Sequence, residues 1–108
     1  MSNKDVMIRV NQSLEEIRQS NKSGSHVNCI RLNASCSDVH NAEIIARCLE
    51  YLKLGVPFMT EAIFHNGQRC DIINLSTQEI HEIMVSESES RFAAKIYPEL
   101  FKITKVRI

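Results

Sequence analysis

The sequence predicts an α/β domain in which helices pack on a mixed central sheet. Its 108 residues, of which 44% are hydrophobic, suffice for one core and not for two. An amphipathic helical pattern begins near residue 38. Short β-forming segments separated by turn residues come next, and one more helix and one more strand follow them. The resulting order of helix, three-strand meander, helix and strand is typical of the α/β class.

Residues 1–37 are predicted to form an N-terminal extension of the same domain, and residues 38–108 its core. Asn and Ser are frequent up to Asn41, whereas Ile, Leu and Phe are frequent from Ala42 onward. Within the extension, residues 6–18 have the pattern of a short helix, because Ser13 and Glu16 have the spacing of a capping box. Residues 27–32 are predicted to form a short strand or an extended arm.

The clearest helical pattern begins at Asp38, which is a good N-cap residue. The apolar positions at i, i+3, i+4 and i+7 are Ile45, Cys48, Leu49 and Leu52. Their spacing predicts an amphipathic helix of about four turns that buries this face. Gly55 and Pro57 predict the end of the helix.

Three strands are predicted after this helix. They are residues 58–64, 69–75 and 79–86. The Asn66-Gly67 pair predicts a hairpin turn between the first two strands, and residues 76–78 predict the turn before the third.

A second helix and a last strand are predicted to complete the core. Ser86 and Glu89 have the spacing of a capping box, and the helix that they begin is expected to stop at Pro98. Residues 101–108 are predicted to form the last strand.

Composition and charge exclude several classes of protein. The chain has 13 Lys and Arg against 13 Asp and Glu, so it lacks the uncompensated positive charge of a non-specific nucleic-acid coat protein. No apolar run approaches the roughly 20 residues of a membrane span, and the first residues lack the pattern of a signal peptide. We therefore expect no membrane partner, a cytoplasmic location, and four cysteines that remain reduced.

Acidic residues on neighbouring predicted elements suggest a metal site. Asp71 lies early in the second strand and Glu82 in the middle of the third, so pairing of these strands brings the two carboxylates close together. Glu43, in the first turns of the preceding helix, is a third candidate ligand. Carboxylates on an apolar sheet are costly unless they are paired or metal-bound, and Mg²⁺ is usually held by one or two of them.

The sequence resembles a known family at these positions. The segments that carry the resemblance are His40-Asn41-Ala42-Glu43, Thr60-Glu61, Gly67-Gln68-Arg69-Cys70-Asp71-Ile72 and Glu82-Ile83-Met84-Val85-Ser86-Glu87. Together with the element order over residues 38–108, they resemble the PD-(D/E)XK nucleases, which have the restriction-endonuclease-like fold. The likeness is greatest to small nucleases of archaea and their viruses and plasmids, and to Holliday-junction resolvases.

The resemblance implies a Mg²⁺- or Mn²⁺-dependent deoxyribonuclease. Asp71 matches the Asp of the motif, Glu82 its Asp/Glu, and Glu43 the helical Glu that some members add to the metal site. DNA is the implied partner, and the cytoplasm, of the host if the protein is viral, is the implied location. Because a domain this small covers little of a duplex, a symmetric homodimer is a further expectation.

One position departs from the motif of the family. Met84 stands where the motif has lysine, and a thioether carries no charge and donates no proton. Two substitutes are predicted as alternatives: Lys95 takes the catalytic role from the following helix, or Arg69 supplies the positive charge and contacts the nucleic acid. The remaining alternative is a catalytically inactive module of the same fold that binds nucleic acid or a protein partner.

Each candidate acid also has a purely structural interpretation. Asp71 suits a residue that caps the preceding hairpin, and Glu82 suits an ion pair with Arg69 or Lys95. Glu43 suits an i, i+4 surface pair with Arg47. Glu61 is either a substitute or supporting acid or a charge that protects an edge strand.

Zinc is a minor alternative. The candidate ligands are His26, Cys29, Cys36 and His40. Their middle spacing is short and the sequence has no C-x-x-C, which argues against zinc.

Overall fold

The computed structural model describes residues 2–18, 27–85 and 95–108. In these ranges the chain forms two helices and four strands. They are α1 (Asn3–Glu15), α2 (Asp38–Leu54), β1 (Phe58–Thr60), β2 (Ile72–Asn74), β3 (Glu79–Met84) and β4 (Lys102–Arg107). No helix within the described ranges is long and apolar enough to cross a membrane.

The four strands form one mixed sheet in the order β1-β2-β3-β4. β1, β2 and β3 are an antiparallel meander, and β4 pairs with β3 in parallel. This arrangement confirms the α/β class and the mixed sheet. The helix expected between β3 and β4 falls mainly on residues 86–94, which lie outside the described ranges, and residues 95–98 are irregular.

Both faces of the sheet are buried. The cluster on the α1 side contains Ile17, Met59, Ala62, Phe64, Cys70, Ile73, Leu75, Ile80 and Phe101. The cluster on the α2 side contains Ile44, Cys48, Phe58, Ile72 and Ile83. Neighbouring residues of β2 belong to opposite clusters because successive side chains of a strand point to opposite faces. The sheet is therefore the middle layer between the two helices.

Helix α1 begins and packs differently from the prediction. Its N-cap is Ser2, whose side chain accepts a hydrogen bond from the Asp5 amide, and it ends three residues before the predicted end. The capping box predicted at Ser13 and Glu16 is wrong, because Ser13 lies inside the helix and is fully buried. Its hydroxyl has acceptors in the carbonyls of Arg9 (2.8 Å) and Leu75 (3.2 Å), which joins α1 to the end of β2.

Helix α2 has the predicted length, and one of its caps was predicted. Gly55 ends it in the left-handed region at φ 69°, a conformation that residues with a Cβ rarely adopt. At the other end the N-cap is Ser37 rather than Asp38, because the Ser37 hydroxyl accepts from the His40 amide at 3.2 Å. Asp38 lies in the first turn, where a negative charge favours the helix dipole.

The buried face of α2 differs from the predicted one. The side chains turned toward the sheet are His40, Ile44, Cys48 and Tyr51. Of the predicted face only Cys48 is buried, whereas Ile45, Leu49 and Leu52 are exposed. Ile44 and Ile45 are adjacent, so the helical period fits two faces, and the face with Ile44 packs on the sheet.

The chain before α2 forms an extended arm rather than a strand. We call residues 27–37 the N-terminal arm. Asn28 bonds Phe58 twice: its amide donates to the Phe58 carbonyl at 2.8 Å, and its Oδ1 accepts from the Phe58 amide at 3.1 Å. The Arg31 amide donates to Thr60 Oγ1 at 2.7 Å. The arm therefore covers the outer edge of β1, which would otherwise leave its backbone groups unpaired.

The strands occupy the predicted segments but are shorter. β1 ends at Thr60 because Glu61 has a positive φ of 53°. Beyond it the two strands meet again in a single bridge between Ile63 and Arg69. The predicted Asn-Gly turn is present, with Gly67 at φ 88° and its amide bonded to the Phe64 carbonyl at 2.9 Å.

Candidate functional site

Three acidic residues occupy neighbouring positions across the end of the meander. β2 and β3 are paired with Ile72 opposite His81, so one further step places Asp71 opposite Glu82. On the other side of Asp71, the Glu61 amide donates to the Asp71 carbonyl at 3.1 Å. We call Glu61, Asp71 and Glu82 the carboxylate row. The sequence predicted the neighbourhood of Asp71 and Glu82 from strand pairing.

Glu82 is a buried acid, with only 2% of its surface exposed. The Tyr97 hydroxyl donates to its Oε1, and Lys95 Nζ lies 3.3 Å from its Oε2. Burial, and next the charge of Asp71, raise the pKa of Glu82 to about 8. The charged form of this acid is therefore disfavoured until a cation approaches it.

Asp71 is held from two directions. Its Oδ2 accepts from the Ile83 amide of β3 at 2.7 Å. The same oxygen lies 3.4 Å from Nε2 of His40, which α2 contributes in its first turn. A strand and a helix thus fix one oxygen of Asp71, and its side chain keeps an exposed fraction of 18%.

Glu61 connects the carboxylate row to a pair of arginines. Its Oε2 lies 3.5 Å from Nε of Arg69, and Arg31 is close enough to lower its pKa. Burial, followed by the charge of Asp71, nevertheless raises the pKa of Glu61 overall. Arg69, predicted to contact nucleic acid, is half exposed beside this acid.

The position of the motif lysine is occupied by a core residue. Met84 has 2% of its surface exposed. Lys95, the predicted substitute, approaches Glu82 from the segment that precedes β4. Tyr97 follows two residues later and packs edge-on against Phe64, with ring centroids 6.0 Å apart. Lys95 and Tyr97, which both contact the Glu82 carboxylate, therefore come from one short stretch of chain.

Glu43 has a different partner. Its Oε1 lies 2.9 Å from Nε of Arg47, the i, i+4 pair that was the alternative interpretation of this residue. Across the described ranges, no group of three or more His, Cys, Asp and Glu side chains comes together in a geometry that could hold a metal. The structure thus brings Asp71, Glu82 and Lys95 together and pairs Glu43 elsewhere.

Asp71 and Glu82 supply oxygen ligands of the kind that Mg²⁺ uses in proteins. Mg²⁺ keeps several waters and is commonly held by one or two carboxylates, so a third protein ligand is not required. Removing the proton that Glu82 holds in its buried setting would let both acids act as oxygen ligands.

Three residues of the site were not predicted in these positions. The sequence suggests His40 only as a zinc ligand and as part of a segment that resembles the family, whereas in the structure it contacts Asp71. His26 of the same zinc set lies outside the described residues. Tyr97 and Arg31 carry no spacing signal, because the contacts that define them join distant parts of the chain.

Comparison with known proteins adds no relative. No protein-family model matches the sequence, and searches of curated proteins and of solved structures found no match. No relative therefore indicates the function of the site.

Proposed function

We propose that the protein is a metal-dependent nuclease that hydrolyses phosphodiester bonds of DNA, with a core of the PD-(D/E)XK type. The observation that carries the proposal is the buried pair of carboxylates, Asp71 and Glu82, with the ammonium group of Lys95 beside it. The element order adds support. The helix, the three-strand meander and the last strand that the resemblance implies are present in the described residues, and the helix implied between β3 and β4 falls mainly outside them.

The chemistry of the pair suits a divalent cation. Two neighbouring acids with little exposure to water are hard to ionise together, and either a proton or a cation relieves the repulsion. Asp71 and Glu82 would hold Mg²⁺ or Mn²⁺, which polarises the phosphate and lowers the pKa of a bound water.

The remaining residues have supporting roles in this proposal. Tyr97 and Lys95 orient the Glu82 carboxylate through their bonds to it. Lys95 also supplies the positive charge that Met84 cannot, and it stabilises charge that develops on the phosphate. His40 and the Ile83 amide orient Asp71.

The direct test is cleavage of linear, supercoiled and branched DNA in the presence of Mg²⁺ or Mn²⁺. We expect cleavage that is lost in both Asp71→Asn and Glu82→Gln. Glu50→Gln is the matched control, because this acid is exposed on α2. Cleavage that survives both site variants would assign the activity to another site or to a contaminant.

Lys95 has its own test. Lys95→Gln is expected to lower the cleavage rate about 10²- to 10³-fold, the usual effect of removing one group that stabilises transition-state charge. An unchanged cleavage rate in this variant contradicts the role given to Lys95.

A second candidate function is a non-catalytic module of the same fold that binds nucleic acid or a protein. Met84 at the lysine position and the zero net charge favour it. A Mg²⁺ titration separates the two functions, because thermal stabilisation by the ion requires a native metal site. No stabilisation, together with no cleavage, would favour the binding module.

A further inference from the structure

A cavity of about 310 Å³ lies beside the carboxylate row, between the N-terminal arm and the start of β2. It is lined by Arg31, Leu32, Asn33, Ala34, Glu61 and Arg69. The first four belong to the arm, Glu61 follows β1, and Arg69 lies three residues before β2. Glu61 links the cavity to the candidate active site, because its amide bonds the carbonyl of Asp71. The cavity thus adjoins the site and is built largely from other residues.

The arginines of the cavity suit an anion. Its lining includes two guanidinium groups, of Arg31 and Arg69, and one carboxylate, that of Glu61. A phosphodiester carries one negative charge, and guanidinium forms paired hydrogen bonds with phosphate oxygens. Asn33 adds an amide that can donate to the same oxygens.

The backbone positions Arg31 before any ligand arrives. Its amide donates to Thr60 Oγ1, and that hydroxyl donates in turn to the Cys29 carbonyl at 3.1 Å. Three residues before Arg31, Asn28 also bonds Phe58 at the start of β1. Arg31 therefore projects from a segment that is anchored to the sheet.

We propose that this cavity is a phosphate subsite for a nucleic-acid strand. Arg31 and Arg69 hold a backbone phosphodiester next to the one that is cut at Asp71 and Glu82, an assignment that rests on the proposed function. The volume is at the lower end of the roughly 300–1,000 Å³ of ligand sites, so it admits one nucleotide-sized group. A single strand, rather than a duplex, is the substrate that enters such a cavity.

The test measures binding without chemistry. A labelled single-stranded DNA oligonucleotide is titrated with the native chain in EDTA at several salt concentrations, and fluorescence anisotropy gives the affinity. We expect Arg31→Gln to weaken binding about tenfold, as loss of one charged contact does. It should also make the slope of log affinity against log salt shallower by about 0.7, the value for one phosphate contact on a single strand.

Two more variants sharpen the result. Lys4→Gln removes one positive charge from the exposed first turn of α1, outside the lining of the cavity, and should leave affinity and slope unchanged. Glu61→Gln removes the negative charge from the cavity and should tighten binding, an effect that a structural role of Glu61 does not produce. Thermal unfolding verifies that each variant is folded.

The outcomes separate this inference from the proposed function. Binding that is the same in Arg31→Gln, or equally weakened in Lys4→Gln, overturns the subsite even if the native chain cuts DNA. Binding to duplex DNA that is tighter than to the single strand also overturns it. If Arg31→Gln weakens binding and no cleavage occurs with Mg²⁺, the subsite stands and the nuclease assignment fails.

A second and independent feature is an exposed apolar stripe on α2. It consists of Ala42, Ile45, Leu49 and Leu52. The three large side chains have 37%, 47% and 46% of their surface exposed. At 3.6 residues per turn, the stripe lies about a third of a turn around the helix from the face that packs on the sheet.

The stripe is complementary to a second copy of itself. Its spacing of three, four and three residues is the a/d pattern of paired helices. One end of α2 carries Asp38 and the other Lys53, so antiparallel pairing brings Asp38 of each copy within one turn of Lys53 of the other. Antiparallel pairing also sets the helix dipoles in opposite directions.

We infer that two copies of the chain associate through this stripe about a two-fold axis, as isologous contacts require. Light scattering over a range of protein concentrations should show a mass that rises toward twice the 12.4 kDa of one chain. Leu49→Glu places an acid in the middle of the stripe and should give a monomer at every concentration. Leu54→Glu, at an exposed position outside the stripe, should leave the dimer intact.

Native chain that stays monomeric at all concentrations overturns this interface. A dimer that persists in Leu49→Glu overturns it as well, because association then uses another surface. Far-UV circular dichroism of both variants verifies that α2 is retained.

Discussion

At the residue scale, Tyr97 is the contact that keeps the Glu82 carboxylate in place. Burial and Asp71 raise the pKa of Glu82, whereas the Tyr97 hydroxyl lowers it. We expect Tyr97→Phe to lower the free energy of unfolding by about 1–3 kcal/mol, because a buried oxygen loses its donor. It should also weaken Mg²⁺ binding near neutral pH, since Glu82 then holds its proton more tightly. Urea unfolding and calorimetric titration measure the two effects.

Tyr51→Phe is the matched control for this prediction. The chain has two tyrosines, and Tyr51 lies on the opposite face of the sheet, where its hydroxyl bonds the Asn74 side chain. Loss of this hydroxyl should lower stability without changing Mg²⁺ affinity. Equal loss of Mg²⁺ affinity in both variants would contradict a specific role for Tyr97.

Glu82 also predicts how stability depends on pH in the metal-free protein. Its pKa rises from 4.5 to about 8 on folding, so between these values the folded state binds more protons than the unfolded state. The proton bound to Glu82 therefore stabilises the folded state. Its contribution to the free energy of unfolding is complete below about pH 4.5 and is lost as the pH rises through 8. The free energy of unfolding should therefore fall by up to about 1.4 kcal/mol per pH unit across this window.

Glu82→Gln tests that assignment. Glutamine does not titrate, so urea unfolding of this variant in EDTA should depend less steeply on pH across the same window. A slope equal to that of the native chain would place the titrating group elsewhere.

At the element scale, Ile17 joins the end of the α1 segment to the sheet. It is 4% exposed, belongs to the core cluster on the α1 side, and forms an isolated bridge with Phe64. We expect Ile17→Ala to cost about 2–5 kcal/mol of stability, the usual effect of truncating a buried aliphatic side chain. Ile8→Ala, on α1 itself at 45% exposure, should change stability by less than about 0.5 kcal/mol. Similar losses in both variants would contradict docking of α1 through Ile17.

The sequence predicted elements better than it predicted their contacts. Asn66-Gly67 and Gly55 were informative because turns and caps depend on local backbone geometry. The buried face of α2 was predicted wrongly because Ile44 and Ile45 both continue an apolar row, and only the sheet decides between them. The cap predicted at Ser13 is wrong because burial of this residue depends on a distant part of the chain. One of the two acceptors of its hydroxyl, the Leu75 carbonyl, lies 62 residues away.

The residues of the candidate site also divide into those that local strand pairing brings together and those that only tertiary packing places. Asp71 and Glu82 could be brought together from the sequence because consecutive strands of a meander pair in a register that the turn constrains. His40 and Arg31 could not, because the packing of α2 and of the N-terminal arm places them. Lys95 was predicted from chemical need alone, as a cation on the following element that could replace the lysine missing at Met84.

At the scale of the whole molecule, the net charge is zero but the acidic side chains are unevenly distributed. Several acids are paired with bases: Glu43 with Arg47, Glu61 with Arg69, and Glu82 with Lys95. The acids of the carboxylate row lie side by side, so their repulsion is concentrated at one end of the sheet. A divalent cation at this point reduces the electrostatic repulsion between these acids, which is present in the folded state and largely absent from the unfolded state.

The native fold should therefore become more stable when Mg²⁺ or Mn²⁺ is added. Binding to the folded state alone contributes about 2.7 kcal/mol at a free ion concentration of one hundred times the dissociation constant, which raises the melting temperature of a domain of this size by roughly 10–20 °C. Asp71→Asn and Glu82→Gln should each remove this shift, and Glu50→Gln should retain it. NaCl at matched ionic strength controls for screening. A shift that persists in both site variants would locate the ion away from the carboxylate row, and a native chain without any shift would contradict a metal site there.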